Sequence, residues 1–290
     1  MRIRSLAPLV FVALFAGAAL AQDEYPDLVS GRQDPGPTVE VKGSLWLTEG
    51  STEVVSRSLS GEFDHDSNLM AVLEAEAALP DLPWISVDGR IGTTLRDSGG
   101  EFDDGDEDSD ASFGLLELNL AVSLAGRGSP LAPNHALPRT HAEAFVGLKA
   151  FTEDFDAERN NADVSYETLW MGPQLGLRGY WHLSDTYADD YLKGWGLSAG
   201  AAVMPWLTVQ ADSEIDGGAE GDQDSSSGYG YSWFAGASYR TGPAVFGLGY
   251  ELQSFKTDDG DEDLSGGGSG HLYSLESKRH GFFLSAGVRF

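Results

Sequence analysis

A period of two in side-chain polarity recurs along most of this chain and limits what it can fold into. In the last ten residues, Phe282, Leu284, Ala286, Val288 and Phe290 alternate with smaller or more polar residues. Because successive side chains of a β-strand point to opposite faces, this alternation indicates a strand with one apolar face. The same pattern predicts twelve segments, at 38–49, 68–79, 84–95, 113–124, 140–152, 163–171, 174–183, 193–204, 206–216, 228–240, 244–255 and 277–290.

The connections between these segments alternate in length, with one exception. Short turns that contain Pro are predicted at 80–83, 171–173, 204–205 and 241–243, and long connections at 50–67, 96–112, 153–162, 184–192, 217–227 and 256–276. The exception is the long connection 125–139. Because successive segments alternate in direction, this connection falls on the same side as the short turns. An even number of strands also requires a turn at Pro173, which separates the segments at 163–171 and 174–183. The sequence Met171-Gly172-Pro173 at this point is similar to Thr241-Gly242-Pro243.

The N-terminus has the pattern of an export signal. Arg2 and Arg4 precede an apolar run at 6–20, and the small residues Ala19 and Ala21 predict cleavage before Gln22, so that residues 1–21 form a signal peptide. Residues 22–37 are rich in Pro and lack periodicity, which predicts an N-terminal periplasmic segment, with a position inside the lumen as the alternative. The chain contains no Cys, which excludes disulfides and a lipoprotein anchor.

No other stretch is long and apolar enough for a transmembrane helix, which needs about 20 residues. An exported chain of amphipathic strands can cross lipid only as a closed barrel, because the bilayer leaves no backbone group unpaired. We therefore predict an all-β fold, a transmembrane antiparallel up-and-down β-barrel over residues 38–290. Twelve strands are expected, within a range of 10 to 14.

The signal peptide, the alternating segments and the terminal Phe290 together resemble bacterial outer-membrane β-barrel proteins. The resemblance implies an outer-membrane location, contact with lipids and lipopolysaccharide, and recognition of the last strand by the barrel-assembly machinery. The implied assembly signal consists of Phe282, Leu284, Val288 and Phe290. The octapeptide at 172–179 is also similar to the Legionella-type major outer-membrane protein group, but no functional residue is transferred from it.

Aromatic residues near the strand ends predict two interfacial girdles. Trp84, Trp170, Trp206 and Tyr239 lie near short turns, and Trp181, Trp195, Tyr229 and Tyr231 lie near the opposite ends. The alternative is that these aromatics fill the core of a soluble β-protein.

The chain is strongly acidic, with a net charge of −28. This charge argues against nucleic acid as a partner and favours cations. The sequence Asp-Asp-Gly-Asp-Glu-Asp occurs twice, at 103–108 and 258–263, and carboxylates around a Gly can supply the oxygen ligands of weakly bound Ca²⁺ or Mg²⁺. The candidate ligands are Asp103, Asp104, Asp106, Asp108, Asp258, Asp259, Asp261 and Asp263. The alternative is a solvated loop, and no other cofactor is expected.

Charged residues on the polar face of the segments predict the lining of the lumen. They are Glu40, Lys42, Glu74, Glu76, Asp88, Arg90, Glu117, Glu143, Lys149, Glu167, Arg178, Asp212, Glu214, Arg240, Glu251 and Arg289. Such a mixed lining fits a water-filled pore with a mild preference for cations. It fits equally a plug of interlocked ion pairs.

We expect a small porin-like channel for hydrophilic or cationic solutes. The second hypothesis is a closed structural or surface-interaction barrel with acidic, cation-binding external loops. The third is an outer-membrane lipid-modifying enzyme, since His182 and Ser184 share a strand face, but no supporting acid can be assigned and we expect no enzyme. The sequence does not indicate an oligomeric state.

Overall fold

The computed structural model describes residues 39–79, 82–96, 98–102, 108–125, 140–159, 162–183, 194–215, 220–241, 243–264, 268–272 and 274–289. The expected signal peptide at 1–21 and the segment at 22–37 lie outside these residues. Within the described ranges there is no helix that is long and apolar enough to span a membrane.

The described residues form thirteen β-strands. These are β1 (Val39–Val55), β2 (Ser60–Leu79), β3 (Leu82–Arg96), β4 (Ser98–Phe102), β5 (Asp108–Ala125), β6 (Thr140–Arg159), β7 (Ala162–His182), β8 (Trp195–Ile215), β9 (Gly221–Thr241), β10 (Ala244–Thr257), β11 (Gly260–Leu264), β12 (Gly268–Leu272) and β13 (Ser274–Arg289). Alternation of exposed and buried residues along β1, β8 and β13 follows the predicted period of two.

Ten of these strands close into an antiparallel ring in the order β1, β2, β3, β5, β6, β7, β8, β9, β10 and β13, with β13 pairing to β1. This closure confirms the predicted fold class, and ten lies inside the predicted range. The short β4 pairs with β2 and β5. The hairpin of β11 and β12 pairs with the start of β9, outside the ring. We call the end where β1 begins and β13 finishes the terminal end, and the other the distal end.

The predicted turns at Pro173 and Pro205 are not turns in the structure. The two Pro residues lie on neighbouring strands and share a single bulge. The segments on either side of Pro173 form one strand, β7, and those on either side of Pro205 form one strand, β8. Pairing between β7 and β8 is interrupted at this level, where Met171 faces Thr208 and Leu175 faces Val203. Because Pro has no N–H to donate, the two Pro residues can share an interruption of one ladder without ending either strand.

The continuous strands change which connections share an end. The connection between β7 and β8, at 183–194, leaves from the terminal end, so its predicted external position, at 184–192, is wrong. The connection between β5 and β6 leaves from the terminal end, which is the side predicted from the alternating direction of the segments. Most of its residues, like those of the β7–β8 connection, lie outside the described ranges.

The outer face carries an apolar belt with aromatics at both edges. Trp181, Trp195 and Tyr239 lie at the terminal edge, where Trp195 pairs with Tyr239. At the distal edge lie Trp206, Tyr229 and Tyr231. Tyr239 and Tyr229 are ten residues apart on β9. At about 3.3 Å per residue and a tilt of about 40°, the bands are about 25 Å apart, which matches a bilayer core.

The structure therefore changes five of the eight girdle assignments. Trp181 and Trp195 lie at the terminal edge, whereas Trp206 lies at the distal edge, because no turn exists at Pro173 or Pro205. Trp170 is buried inside the barrel, at 1% exposure. Trp84 lines the lumen near the terminal end. Phe282, Leu284 and Val288 face outward in the belt, whereas Phe290 is outside the described residues.

The polarity of the barrel reverses beyond the distal edge of the belt. There the outward positions are mainly acidic, as on β8 at Asp212 and Glu214. The inward positions form the hydrophobic core, which includes Phe63, Phe155 and Tyr166. The strands thus continue as a water-soluble extension with a packed apolar interior, while the membrane-spanning part has an apolar exterior and a charged interior.

Candidate functional site

A cavity of about 840 Å³ occupies the lumen within the membrane-spanning part. It reaches the terminal end of the barrel, because its lining includes Glu40, Arg240 and Arg289, which stand at or next to the ends of their strands. Seven carboxylates and five Lys or Arg side chains line it. A cavity of this volume is in the range of sites for small molecules.

A row of alternating charge runs around one wall of the cavity. Lys42, Glu74, Arg90, Glu117 and Lys149 stand on five successive strands of the ring and face one another in direct register. Opposite charges at directly paired positions stabilise a sheet, so each member supports its two neighbours. Arg90 lies 3.7 Å from Glu117, and Lys149 also lies 3.7 Å from Glu117.

Arg90 joins this row to the opposite wall. Its guanidinium donates to both carboxylate oxygens of Glu251 on β10, at 3.1 and 2.8 Å. Planar, bidentate pairing of this kind is the strongest geometry available to an Arg and a carboxylate. Since β3 and β10 are not neighbours in the ring, the pair crosses the lumen at the distal side of the cavity.

A second group of ion pairs lies nearer the terminal end. Arg178 contacts Asp88 at 2.8 Å and Glu143 at 2.6 Å, and His141 also lies 2.6 Å from Glu143. At the mouth, Glu40 pairs with Lys42 at 2.9 Å and with Arg240 at 3.3 Å. The wall is therefore largely neutralised by its own ion pairs.

Thirteen of the sixteen predicted lumen residues face inward, and all of these except Lys149 line the cavity. Glu167, Asp212 and Glu214 face outward, so their placement in the lumen is wrong. On β8 the reason is the bulge, because Met204 and Leu207 are both buried and the two residues between them reverse the alternation. On β7, Glu167 faces outward since Tyr166 and Thr168 fill the interior.

A packed layer closes the lumen on the distal side of the cavity. Trp46, Phe151, Trp170, Met204 and Phe255 come from both sides of the ring, and each is at most 2% exposed. Phe255 stacks on Phe151 with 5.6 Å between ring centroids and on Trp170 with 5.7 Å. None of the five lines the cavity. The described interior therefore contains a cavity that ends at a packed layer.

Carboxylates form a row on the outer face of the distal extension, which we call the carboxylate row. Asp154, Glu167, Asp212, Asp222 and Asp263 face one another in direct register across β6, β7, β8, β9 and β11. Nevertheless, among the described residues no three His, Asp or Glu side chains converge closely enough to hold a metal ion. Cations at this row would be shared along it.

The two acidic repeats have different places. In the first, Asp103, Asp104 and Asp106 lie outside the described residues, and Asp108 opens β5. In the second, Asp258 pairs with Lys256 at 3.1 Å, Asp259 accepts through its carbonyl from Ser225, and Asp261 faces Asp224. Only Asp261 and Asp263 of the predicted ligands extend the acidic outer surface on β11.

Glu262, which is not among the predicted site residues, fixes the hairpin of β11 and β12. Its carboxylate accepts from the backbone N–H groups of Arg57 and Ser58, at 2.9 and 3.0 Å, from the Ser58 hydroxyl, and from Gln223 at 3.3 Å. Burial alone would raise the pKa of Glu262, but these donors hold it below its usual value. Within the second repeat, Asp261 and Asp263 face outward and Glu262 faces inward. This alternation was the sequence signal that could have revealed the role of Glu262.

The hypothesis of catalysis rested on His182 and Ser184. His182 ends β7, but its side chain and Ser184 lie outside what the structure describes. Of the other His residues, His141 contacts Glu143 at the cavity, His65 is buried among aromatics and His280 contacts Glu49 on the outer face. The contacts of these three His side chains are those of packing and ion pairing.

Ten antiparallel strands closed on themselves, apolar outside and charged inside, define a transmembrane β-barrel of the outer-membrane type. No protein-family model matches the chain, and no curated protein matches it significantly. Among solved structures, the outer membrane protease OmpT from Escherichia coli is similar, with a TM-score of 0.68 and 14% identity over 87% of this chain and 96% of that chain. At this identity the likeness establishes the fold.

Two further solved structures match over most of their length. The translocator domain of the autotransporter NalP from Neisseria meningitidis has a TM-score of 0.37 and 9% identity over 98% of this chain and 96% of that chain. The toluene transporter TbuX from Ralstonia pickettii has a TM-score of 0.33 and 8% identity, with coverage of 88% and 90%. These scores are too low to support a functional comparison.

Proposed function

We propose that this chain is a closed outer-membrane barrel that presents a cation-binding carboxylate surface outside the cell, and that it is neither an open channel nor an enzyme. The observation that carries the proposal is the packed layer formed by Trp46, Phe151, Trp170, Met204 and Phe255. Side chains from opposite walls meet there and are almost completely buried, whereas conduction needs a continuous hydrated path. We assign the terminal end to the periplasm, the side on which the C-terminal signal expected of this class would lie.

The carboxylate row supports the second part of the proposal. Like charges directly opposite one another destabilise a sheet, so five carboxylates in register favour binding of counterions. Divalent cations prefer carboxylate oxygens, and a Ca²⁺ or Mg²⁺ ion that holds one carboxylate retains coordination sites for a phosphate. The row lies beyond the distal edge of the belt, seven residues along β9 from Tyr229, and ions held there would be available to lipopolysaccharide phosphates.

Single-channel recording in planar bilayers tests the closed lumen. The refolded full-length chain should remain silent at voltages where a known porin, inserted in the same bilayers, gives stable steps. A porin-like channel is the alternative, and the cavity of about 840 Å³ is the observation in its favour. Stable openings of the refolded barrel would overturn the closed-barrel proposal.

Calcium titration of thermal stability tests the carboxylate row. Ca²⁺ should raise the melting temperature of the wild-type barrel, and the double variant Asp212→Asn, Asp222→Asn should respond less. A control variant, Glu49→Gln with Asp66→Asn, removes the same charge from β1 and β2 and should keep the wild-type response. If both double variants respond alike, the effect is general screening and the proposed cation surface is wrong.

A further inference from the structure

The cavity has two chemically different walls. The strands from β1 to β7 supply most of the charged side chains, whereas β8, β9, β10 and β13 supply mainly Ser, Gly, Ala and Phe besides Arg240, Glu251 and Arg289. Phe145 on β6, Phe234 on β9 and Phe283 on β13 are the three Phe side chains of the lining that face inward. The cavity therefore offers a charged surface and an aromatic surface to the same occupant.

Three glycines keep the aromatic rings flat against the wall. A Cβ atom built on Gly176 would collide with the Phe145 ring, one on Gly200 with Phe234, and one on Gly249 with Phe283. Each ring occupies the place of a missing side chain on another strand, as in the packing of aromatics over sheet glycines. If the rings projected into the lumen instead, they would fill the cavity. The space is thus a consequence of specific residues.

Glu76 is exceptional among the charged groups of the lining. It has neither a hydrogen bond nor an ion pair within 4.0 Å among the described residues, while its cross-strand neighbours are the acids Glu40 and Asp88. Nearby, the hydroxyl of Ser86 is buried without a hydrogen-bond partner, and Ser86 is only 5% exposed. Buried polar groups are normally satisfied, so the Ser86 hydroxyl indicates a missing partner. The partly exposed Glu76 lines the same cavity and supplies a carboxylate without a direct partner there.

We propose that the cavity binds a small organic cation, with a primary ammonium group and an apolar body, which enters from the terminal end. The ammonium donates to the Glu76 carboxylate and to the Ser86 hydroxyl, and the body packs on Phe145, Phe234 and Phe283. The excess of two carboxylates over Lys and Arg in the lining selects a cation against an anion of the same shape. This inference does not depend on whether the barrel conducts.

Binding of dansylcadaverine, a fluorescent primary amine, to the refolded full-length chain in detergent tests the proposal. Fluorescence should rise with saturation at one probe per barrel, above the signal of protein-free micelles. Glu76→Gln should weaken binding by about tenfold, the loss expected for one charge-assisted hydrogen bond. The outward Glu62→Gln on β2, with the same change of charge and outside the carboxylate row, should bind as the wild type does.

Dansylglycine, which carries the same fluorophore and a negative charge, serves as the matched probe and should show no saturable binding. Ser86→Ala provides a second variant that keeps all charges, and it should weaken dansylcadaverine binding by a smaller factor than Glu76→Gln. Absence of saturable binding, equal binding of the two probes, or an unchanged affinity in folded Glu76→Gln would each overturn the proposal. None of these outcomes bears on conductance or on the response to Ca²⁺.

Discussion

Arg279 on β13 reaches across the lumen to Glu153 on β6, with Nη2 2.9 Å from the carboxylate Oε1, and both side chains are almost completely buried. The guanidinium lies between the rings of Phe113 and Phe151, 3.7 and 3.9 Å from their centroids. Glu153 also accepts from Trp170 at 3.1 Å. The pair therefore links opposite walls inside the layer that closes the barrel.

Loss of one partner of this pair should destabilise the barrel strongly. In Arg279→Met the Glu153 carboxylate stays buried without its cation, which should cost about 3–5 kcal/mol of the free energy of unfolding. The double variant Glu153→Leu, Arg279→Met should regain most of this loss, since two apolar side chains leave no buried charge. Urea unfolding of the refolded protein, followed by Trp fluorescence, measures both.

Lys278→Met is the matched control. Its ammonium pairs with Glu276 on the outer face, and the Lys278 side chain is 59% exposed. Such an exposed pair contributes about 0–1 kcal/mol, so the control should unfold almost as the wild type does. A similar loss in Lys278→Met and Arg279→Met would contradict the buried position of Arg279.

The hairpin of β11 and β12 should detach in acid. Its anchor, Glu262, has a pKa below its usual value because donors from Arg57 and Ser58 favour the charged form. The stabilisation is therefore complete above the ordinary Glu pKa of about 4.3 and is lost as the pH falls through the lowered value of the folded protein.

A spin label at Ser269→Cys, on β12, measures this detachment. Its mobility should be low at pH 6 and should rise as the pH approaches 3. With Glu262→Gln the label should already be more mobile at pH 6, and the change with pH should be smaller. The outward Asp261→Asn should keep the wild-type profile, and a profile that stays flat in the wild type would refute the anchor.

Much of the fold could be predicted because lipid and water impose opposite demands on alternate residues. The last strand illustrates this, since Phe282, Leu284 and Val288 face lipid while Ser285 and Arg289 line the cavity. The expectation of a closed ring comes from the repeated amphipathic strands and does not depend on the strand number. Alternation therefore determined the class of fold and thirteen inward-facing charges.

The sequence could not predict where alternation would slip. From the sequence alone Pro205 indicates a turn, but in the sheet it shares a bulge with Pro173 on the neighbouring strand. One extra residue there reverses every later side chain of β8, which turned Asp212 and Glu214 outward. The cross-lumen partners of Arg90 and Arg279 depend on ring closure, and no local pattern encodes them.

Gly249→Ala should destabilise the barrel through Phe283. The new Cβ would collide with the Phe283 ring, and it would lie 2.7 Å from the carbonyl oxygen of Ala235, so the strand must shift. Overpacking of this kind costs about 1–3 kcal/mol.

Adding Phe283→Ala should remove part of the penalty, because the two sites are in contact and their effects are not additive. Gly43→Ala is the control, since a Cβ there meets nothing within 4 Å. Urea unfolding of the wild type, Gly249→Ala, Phe283→Ala and the double variant gives the coupling, and additive effects would contradict the contact.

Single Cys variants should report both the bulge and the orientation, because the chain has no Cys of its own. On intact bacteria, a membrane-impermeant maleimide should label Asp212→Cys on the outer face of the distal extension, and should not label Ala211→Cys, which points into the packed core at 3% exposure. Thr241→Cys, at the terminal end, should react only after the outer membrane is permeabilised. If Ala211→Cys reacts and Asp212→Cys does not, β8 has no bulge at Pro205. If Thr241→Cys reacts on intact cells, the terminal end faces outward, and the carboxylate row cannot meet lipopolysaccharide.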